Sequence, residues 1–216
     1  YTLGRPGDLS LYSEMMSQGK SVVELRKGDS IAGFIAVSDP VKDDAAEAVA
    51  MIKGLGIKPV MLTGDSRATA EAVAALAGID EVIAGVRPQE KLYALQERQK
   101  LGERVCMVGD GINDAAALKA ADIGIALGTG TDLSIESADI IITGGKLRSV
   151  PAAMKISRIT FSKIRQNLFW AFFYNLAALP SAVAGIMHPA IAEFCMILSS
   201  VNVILNSAGI RNKKVF

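Results

Sequence analysis

Between Arg165 and Arg211 the chain carries one acidic or basic side chain, Glu193, and one imidazole, His188. A stretch this long and this poor in charge has to be buried, in protein or in lipid, and this restricts the fold more than any other feature. Asn167 to Met187 is 21 residues without a charge. His188-Pro189 interrupts the pattern, and Pro189 to Ile210 is a second apolar run holding the one glutamate. Each run matches the roughly 20 residues that cross a bilayer as a helix. Lys155, Arg158, Lys163 and Arg165 precede the first run, and Arg211, Lys213 and Lys214 follow the second. Basic residues gather on the cytoplasmic side, so a transmembrane hairpin is expected, with both outer ends in the cytoplasm. The alternative is a pair of buried core helices, against which the matching basic flanks speak.

Upstream of Gln166 the chain is of another kind, densely charged and with mixed signs. The net charge of +1 over 216 residues gives no sign of a nucleic-acid partner. Cys106 and Cys195 fall in different halves, so a reducing cytosol is the natural setting rather than a disulfide. Tyr1 to Gly7 has no basic-then-apolar leader pattern, and the start reads as a cut end inside a longer protein.

In this first part strands alternate with helices. Ser21 to Leu25 and Ser30 to Val37 are apolar and β-branched around a Lys27-Gly28-Asp29 turn. Asp43 to Leu55 reads as a helix ended by glycines. Lys58 to Leu62, Val82 to Ala84, Val105 to Val108, Ile123 to Ala126 and Ile140 to Ile142 read as strands. Helices are expected over Arg67 to Ala77, Pro88 to Lys100 and Asp114 to Ala120. Such alternation predicts an α/β fold with a doubly wound parallel sheet. Ligands of these sheets bind at the carboxyl ends of the strands.

Three segments sit at those ends. Thr63-Gly64-Asp65 follows the strand ending at Leu62; a hydroxyl, free amides and a glycine suit a phosphoryl oxygen, although an ordinary turn has the same composition. Lys91 lies early in a helix, where it either neutralises a phosphate or is a solvated surface charge. Gly109-Asp110-Gly111-Ile112-Asn113-Asp114 follows the strand Val105 to Val108. Carboxylates there suit a hard Mg²⁺ ion beside phosphate. A helix-capping turn accounts for Asp114 but not for Asp110, Asn113 and Asp114 together.

In this order and spacing, Thr63-Gly64-Asp65, Lys91 and Gly109-Asp110-Gly111-Ile112-Asn113-Asp114-Ala115-Ala116-Ala117-Leu118 resemble the later motifs of P-type ATPases, members of the haloacid dehalogenase-like superfamily. Asp39-Pro40-Val41-Lys42 resembles the segment where the chain re-enters the phosphorylation domain after the nucleotide-binding insert. The resemblance implies that residues 1–28 are the tail of that insert and 29–145 the carboxyl-terminal part of the phosphorylation domain. Residues 146–165 would be a basic linker helix and 166–216 two transmembrane helices with a cytoplasmic end. It implies ATP as phosphoryl donor and an aspartyl-phosphate intermediate. Thr63, Gly64, Asp65 and Lys91 would hold the phosphoryl group, and Asp110 would bind Mg²⁺. Asn113 and Asp114 would fix that loop, Asp114 standing behind the metal. The family's nucleophile lies in an Asp-Lys-Thr-Gly-Thr segment, which does not occur here. Asp39 also ends an apolar strand, but soluble phosphatases of the superfamily place a second aspartate two residues on, where this chain has Val41. The nucleophile is therefore expected upstream, and the chain alone is expected not to turn over ATP.

Polar groups in membrane helices usually face a site or a partner helix. The first run carries Tyr174, Asn175 and Pro180; the second carries Cys195, Met196, Ser199, Ser200, Asn202 and Asn206. Met196 and Ser199 share a helix face, and sulfur is a soft ligand that suits Cu(I) over Mg²⁺, Ca²⁺ or Na⁺. Helix–helix packing and hydrogen bonding would use the same residues. Tyr174-Asn175 and Met196-x-x-Ser199-Ser200 resemble the copper-transporting heavy-metal branch of the family, and no lysine in the first helix or Asp-x-Gly in the second points to the other branches. The resemblance implies Cu⁺ held by Tyr174, Asn175, Met196 and Ser199; apart from the resemblance, Cys195 beside Met196 is a candidate extra sulfur ligand. It implies an integral membrane protein of a plasma or inner membrane, with its phosphorylation domain in the cytoplasm. Its partners would be the nucleotide-binding, actuator and other transmembrane segments of one pump, membrane lipid and a copper chaperone. A membrane-anchored phosphatase and a non-catalytic fragment are the competing readings.

Overall fold

The computed structural model describes residues 1–17, 20–37, 40–109, 112–128, 136–186 and 188–212. It divides into two compact units, Tyr1–Pro151 and Ala152–Phe216.

The first unit opens with an antiparallel sheet of order β1 (Thr2–Gly4), β2 (Ser21–Lys27), β3 (Ser30–Val37). Gly28, at φ +62°, supplies the left-handed residue that the two-residue turn between β2 and β3 requires. The expected division at residue 28 falls in this turn, between strands that pair from Ser21↔Val37 to Lys27↔Ser30. The sequence pattern did not announce β1, the 3-10 turn Leu9–Tyr12 or α1 (Ser13–Ser17), which at three to five residues are too short to show a period. Beneath the sheet lies Glu24, 1% exposed. Its carboxylate accepts from Arg26 Nε at 2.7 Å, Tyr12 Oη at 3.2 Å and Gly7 N at 3.4 Å. The Arg26 guanidinium holds that carboxyl below its ordinary value of 4.5.

The rest of the unit alternates helix and strand: α2 (Ala45–Gly54), β4 (Val60–Leu62), α3 (Arg67–Ala77), β5 (Glu81–Ile83), α4 (Pro88–Lys100), β6 (Cys106–Gly109), α5 (Ala115–Ala120), β7 (Ile123–Leu127) and β8 (Ile140–Ile142). Every pairing among these strands is parallel, as the alternation predicts. The ladder is divided, however, into β4-β5 and β6-β7-β8, because among the described residues no strand bridges β4 and β6. The helices begin and end where their chemistry dictates. The Ser66 hydroxyl accepts from Thr69 N at 3.3 Å to start α3, and Gly78 at φ +75° closes it. Pro88 opens α4, whose Glu90 carboxylate accepts from Arg87 N at 2.6 Å. Arg98 of α4 pairs with Glu81 of β5.

The core lies between α5 and β7, where Leu118, Ala117, Ile125 and Ala126 are at most 1% exposed. Burial of a side chain such as Leu118 or Ile125 contributes about 1.5–3 kcal/mol. A Cβ at Gly124 would stand 2.5 Å from Leu118 O, so α5 packs directly on the strand backbone. A smaller cluster of Ala45, Val49 and Ala77 takes in Val41, Ile79 and Leu147. Lys42 Nζ donates to Gly145 O at 2.9 Å, and Asp44 Oδ2 accepts from Arg148 N at 3.0 Å. The segment around Val41 is thereby tied to the turn that precedes the next helix.

That helix, α6 (Ser149–Val183), is 35 residues long and contains Pro180. It joins in one element the basic stretch and the first apolar run. α7 (Pro189–Ala208) follows, capped by His188 Nδ1 accepting from Ala190 N at 3.3 Å, and ends in a 3-10 turn, Gly209–Asn212. Among the described residues one helix, Pro189–Arg211, is long and apolar enough to cross a membrane. The first run falls short of that apolarity because Gln166, Asn167, Tyr174 and Asn175 interrupt it. α7 has no buried residue, and Phe172, Leu176, Phe194 and Leu205 are exposed.

Candidate functional site

The carboxyl end of β4 is extended by Thr63, whose backbone N donates to Ile83 O at 3.0 Å and so continues the β4-β5 ladder. Thr63 Oγ1 donates to Asp65 Oδ2 at 2.9 Å and accepts from Asp65 N at 3.2 Å, closing the turn on itself. Thr63 O accepts from Val86 N at 3.2 Å and Asp65 O from Gly85 N at 2.9 Å. This binds the turn to the segment leading into α4. A Cβ on Gly64 would stand 3.2 Å from Val86 O, so the approach favours a glycine.

One turn into α4, Lys91 Nζ stands 2.7 Å from Asp114 Oδ1, with the two side chains 16% and 13% exposed. Asp114 ends the 3-10 turn Ile112–Asp114 and stands at the N-cap position of α5, but its carboxylate is turned to Lys91 and makes no capping hydrogen bond, contrary to the helix-capping role the sequence suggested. Its carboxylate rests against the end of β6, where a Cβ on Gly109 would lie 2.8 Å from Asp114 Oδ2 and 2.9 Å from its Cβ. A hydrogen bond thus ties Thr63 to Val86, at the lead into α4, and the ion pair ties Lys91 of α4 to Asp114 and the Gly109 strand end, so that α4 and the segment before it connect the two strand-end turns. Lys91 is held by a partner and is not a solvated surface charge. Asn113 is exposed beside Asp114. Asp110, Gly111 and Asp39 lie outside the described residues.

Among the described residues no three His, Cys, Asp or Glu side chains form a metal cluster. Mg²⁺ needs less, one or two carboxylates with water and phosphate completing its shell. The side chains of Thr63, Asp65, Asn113 and Asp114 offer oxygen donors and no sulfur, a set that fits this ion. Cys106, on β6, is a structural thiol: burial pushes it up to about 11, away from thiolate reactivity.

In the second unit Tyr174 and Asn175 lie on α6, and Cys195, Met196 and Ser199 on α7. Asn175 Nδ2 donates to Ala171 O at 2.9 Å and Ser200 Oγ to Met196 O at 3.0 Å, each within its own helix. The cross-helix bonds are elsewhere. Asn167 Nδ2 donates to Ser207 Oγ at 2.8 Å, Asn206 Nδ2 to Asn167 Oδ1 at 2.7 Å, and Lys163 Nζ to Asn206 Oδ1 at 2.6 Å. Lys163 and Asn206 are 43 residues apart in the sequence, and neither by itself points to the other. Asparagine at matching depths of two consecutive apolar runs is the signal that could have joined them.

A family profile of haloacid dehalogenase-like hydrolases matches residues 7–122. The chain is 46% identical over 208 residues, 96% of its length, to the copper-exporting P-type ATPases of Staphylococcus aureus strains MW2 and JH9. It covers 26% of each relative, about a quarter of their length. Among solved structures it is similar to a zinc-transporting PIB-type ATPase in the E2.Pi state, with TM-score 0.79 and 36% identity over 95% of this chain and 34% of that one. It is also similar to the catalytic domain of the CPx-ATPase CopB-B, with TM-score 0.50 and 26% identity over 63% of this chain and 58% of that one.

Proposed function

The chain belongs to the haloacid dehalogenase-like hydrolase family and is a homologue of P-type ATPases, and from that premise we propose that it supplies the phosphate loops and part of the membrane metal site of an ATP-driven Cu(I) pump working through an aspartyl-phosphate. The observation that carries this reading is the Lys91–Asp114 pair, held at 2.7 Å where the Thr63 turn and the Gly109 strand end are linked. Phosphoryl transfer asks the protein chiefly for positioning and charge neutralisation. Lys91 is mostly buried and held in place by Asp114. On phosphate entry it shares its ammonium between Asp114 and a phosphoryl oxygen. Thr63 turns its hydroxyl from Asp65 to the same group, with Gly64 allowing close backbone approach. Asn113 and Asp114 hold the loop that contains Asp110.

Asp110, with Asp114 behind it, would hold Mg²⁺, and the bound ion supplies neutralisation of charge on the phosphoryl oxygens. The phosphate-accepting aspartate belongs to another part of the pump, since no Asp-Lys-Thr-Gly-Thr segment occurs in these residues; the chain by itself does not hydrolyse ATP. Residues 1–28, 29–145, 146–165 and 166–216 serve as nucleotide-domain tail, phosphorylation domain, linker and membrane hairpin. The other partners are the remaining domains of the pump, lipid and a copper chaperone. The phosphorylation domain faces the cytoplasm.

For the ion, Met196 provides a soft sulfur with Ser199 on the same face of α7, and Tyr174 and Asn175 lie on α6, which favours Cu(I) over harder cations. The test is ATP hydrolysis by the full-length pump under reducing conditions. Cu(I) is expected to stimulate the wild type, Met196→Ala to lose the stimulation and Asp110→Ala to lose turnover. Stimulation by Zn²⁺ in place of Cu(I) overturns the ion assignment, and the absence of stimulation by any ion overturns the pump.

A further inference from the structure

Lys163, Asn167, Asn206 and Ser207 form a chain of hydrogen bonds joining α6 to α7, and helix geometry carries its consequence further along the pair. Residues seven apart on a helix are separated by nearly two whole turns and share a face. Tyr174 lies seven residues beyond Asn167; Ser199 and Ser200 lie seven before Asn206 and Ser207. The two helices run antiparallel across the short His188 turn. The Asn167–Asn206 and Asn167–Ser207 bonds therefore place Tyr174 at the level of Ser199 and Ser200, about 10 Å along both helices. One turn further along the same register, Met196 is level with Ala177 and Ala178.

We propose that Lys163, Asn167, Asn206 and Ser207 are positioning residues whose hydrogen-bond chain sets the register of α6 against α7, bringing Tyr174 opposite Ser199 and Ser200. The ion-binding consequence rests on the pump reading above; the register itself does not. Lys163 suits the part chemically. Its ammonium lies near the carboxyl end of α7, 3.8 Å from where a Gly209 Cβ would be, and the helix dipole favours a cation there. Asn167 both donates and accepts, so sliding either helix by one turn would break both of its bonds at once. Two unmet amides in an apolar setting make such a slip unfavourable.

Two readouts on the full-length protein in membranes test this. In the first, Tyr174→p-benzoylphenylalanine is irradiated and the crosslinked peptide mapped. Capture within residues 196–203, dispersed by Asn206→Leu and restored by Asn206→Asp, is expected; the aspartate still accepts from Lys163 and from a turned Asn167 amide. Capture elsewhere, or an unchanged pattern in Asn206→Leu, overturns the proposal. In the second, Asn206→Leu is expected to raise the Cu(I) concentration for half-maximal ATP hydrolysis about tenfold or more, the scale of losing a group that orients metal ligands, with the maximal rate nearly kept and Asn206→Asp close to wild type. Equal half-saturation in Asn206→Leu and wild type overturns the positioning role. If Cu(I) fails to stimulate the wild type while the crosslinks follow the expected pattern, the register stands and the pump reading falls.

Discussion

Lys91 Nζ and Asp114 Oδ1 are 2.7 Å apart, 23 residues distant in sequence and each less than one-fifth exposed. Removing one partner of a mostly buried pair leaves the other charge uncompensated, which costs about 3–5 kcal/mol. Lys91→Met is therefore expected to destabilise the first unit on that scale, and Lys91→Met with Asp114→Leu by less than the sum of the single changes. Hydrogen exchange of the β6 and β7 amides measures both; additive losses would show that the pair is not coupled.

Glycine at 109 leaves room that the aspartate fills. A Cβ there would be 2.8 Å from Asp114 Oδ2, so Gly109→Ala displaces the carboxylate from Lys91 and is expected to cost about 1–3 kcal/mol as overpacking. Gly124→Ala, which meets the Leu118 carbonyl at 2.5 Å, is expected at or above the top of that range because backbone must move. Gly54, with nothing within 4 Å, is the control. Gly54→Ala is expected to be neutral or slightly stabilising in the same exchange measurement.

Glu24 makes the antiparallel sheet sensitive to acid. Arg26 holds its folded-state titration below the ordinary value of 4.5. The contribution is thus fully present above that value and is lost as pH falls through the lowered folded-state value. Exchange protection of the β2–β3 amides is expected to be level from neutral pH to about 5 and to decline below it, after correction for intrinsic rates. Glu24→Gln is expected to flatten the decline; an equal decline in this variant would assign the acid sensitivity to other carboxylates.

Cys106 is expected to react slowly. Burial raises the thiol from 9.0 to about 11, leaving about a hundredfold less thiolate at pH 8 than an ordinary cysteine has. In a Cys195→Ser background, iodoacetamide labelling should be at least that much slower in the folded chain than in denaturant. Equal rates would place Cys106 at the surface.

The residues alone were enough for the strand–helix alternation, for α3, α4 and β8 to the residue, and for placing Thr63 just after β4, Lys91 early in α4 and Asp114 between β6 and α5. These depend on local periodicity, capping groups and turn glycines, which act over a few neighbours. The division of the parallel ladder between β4 and β6 was not legible, nor was the burial of the Glu24 side chain on one face of the β1-β2-β3 sheet. Lys91 could be read equally well as a surface lysine, and Asn206 as general helix packing. Each of these depends on which distant segment lies opposite: Asp114 for Lys91, Tyr12 for Glu24, Asn167 for Asn206. A charged or amide side chain has the same local preferences whether its partner is water or a buried group of matching shape. Only the register of one element against another, set by the packing of the whole chain, chooses between them.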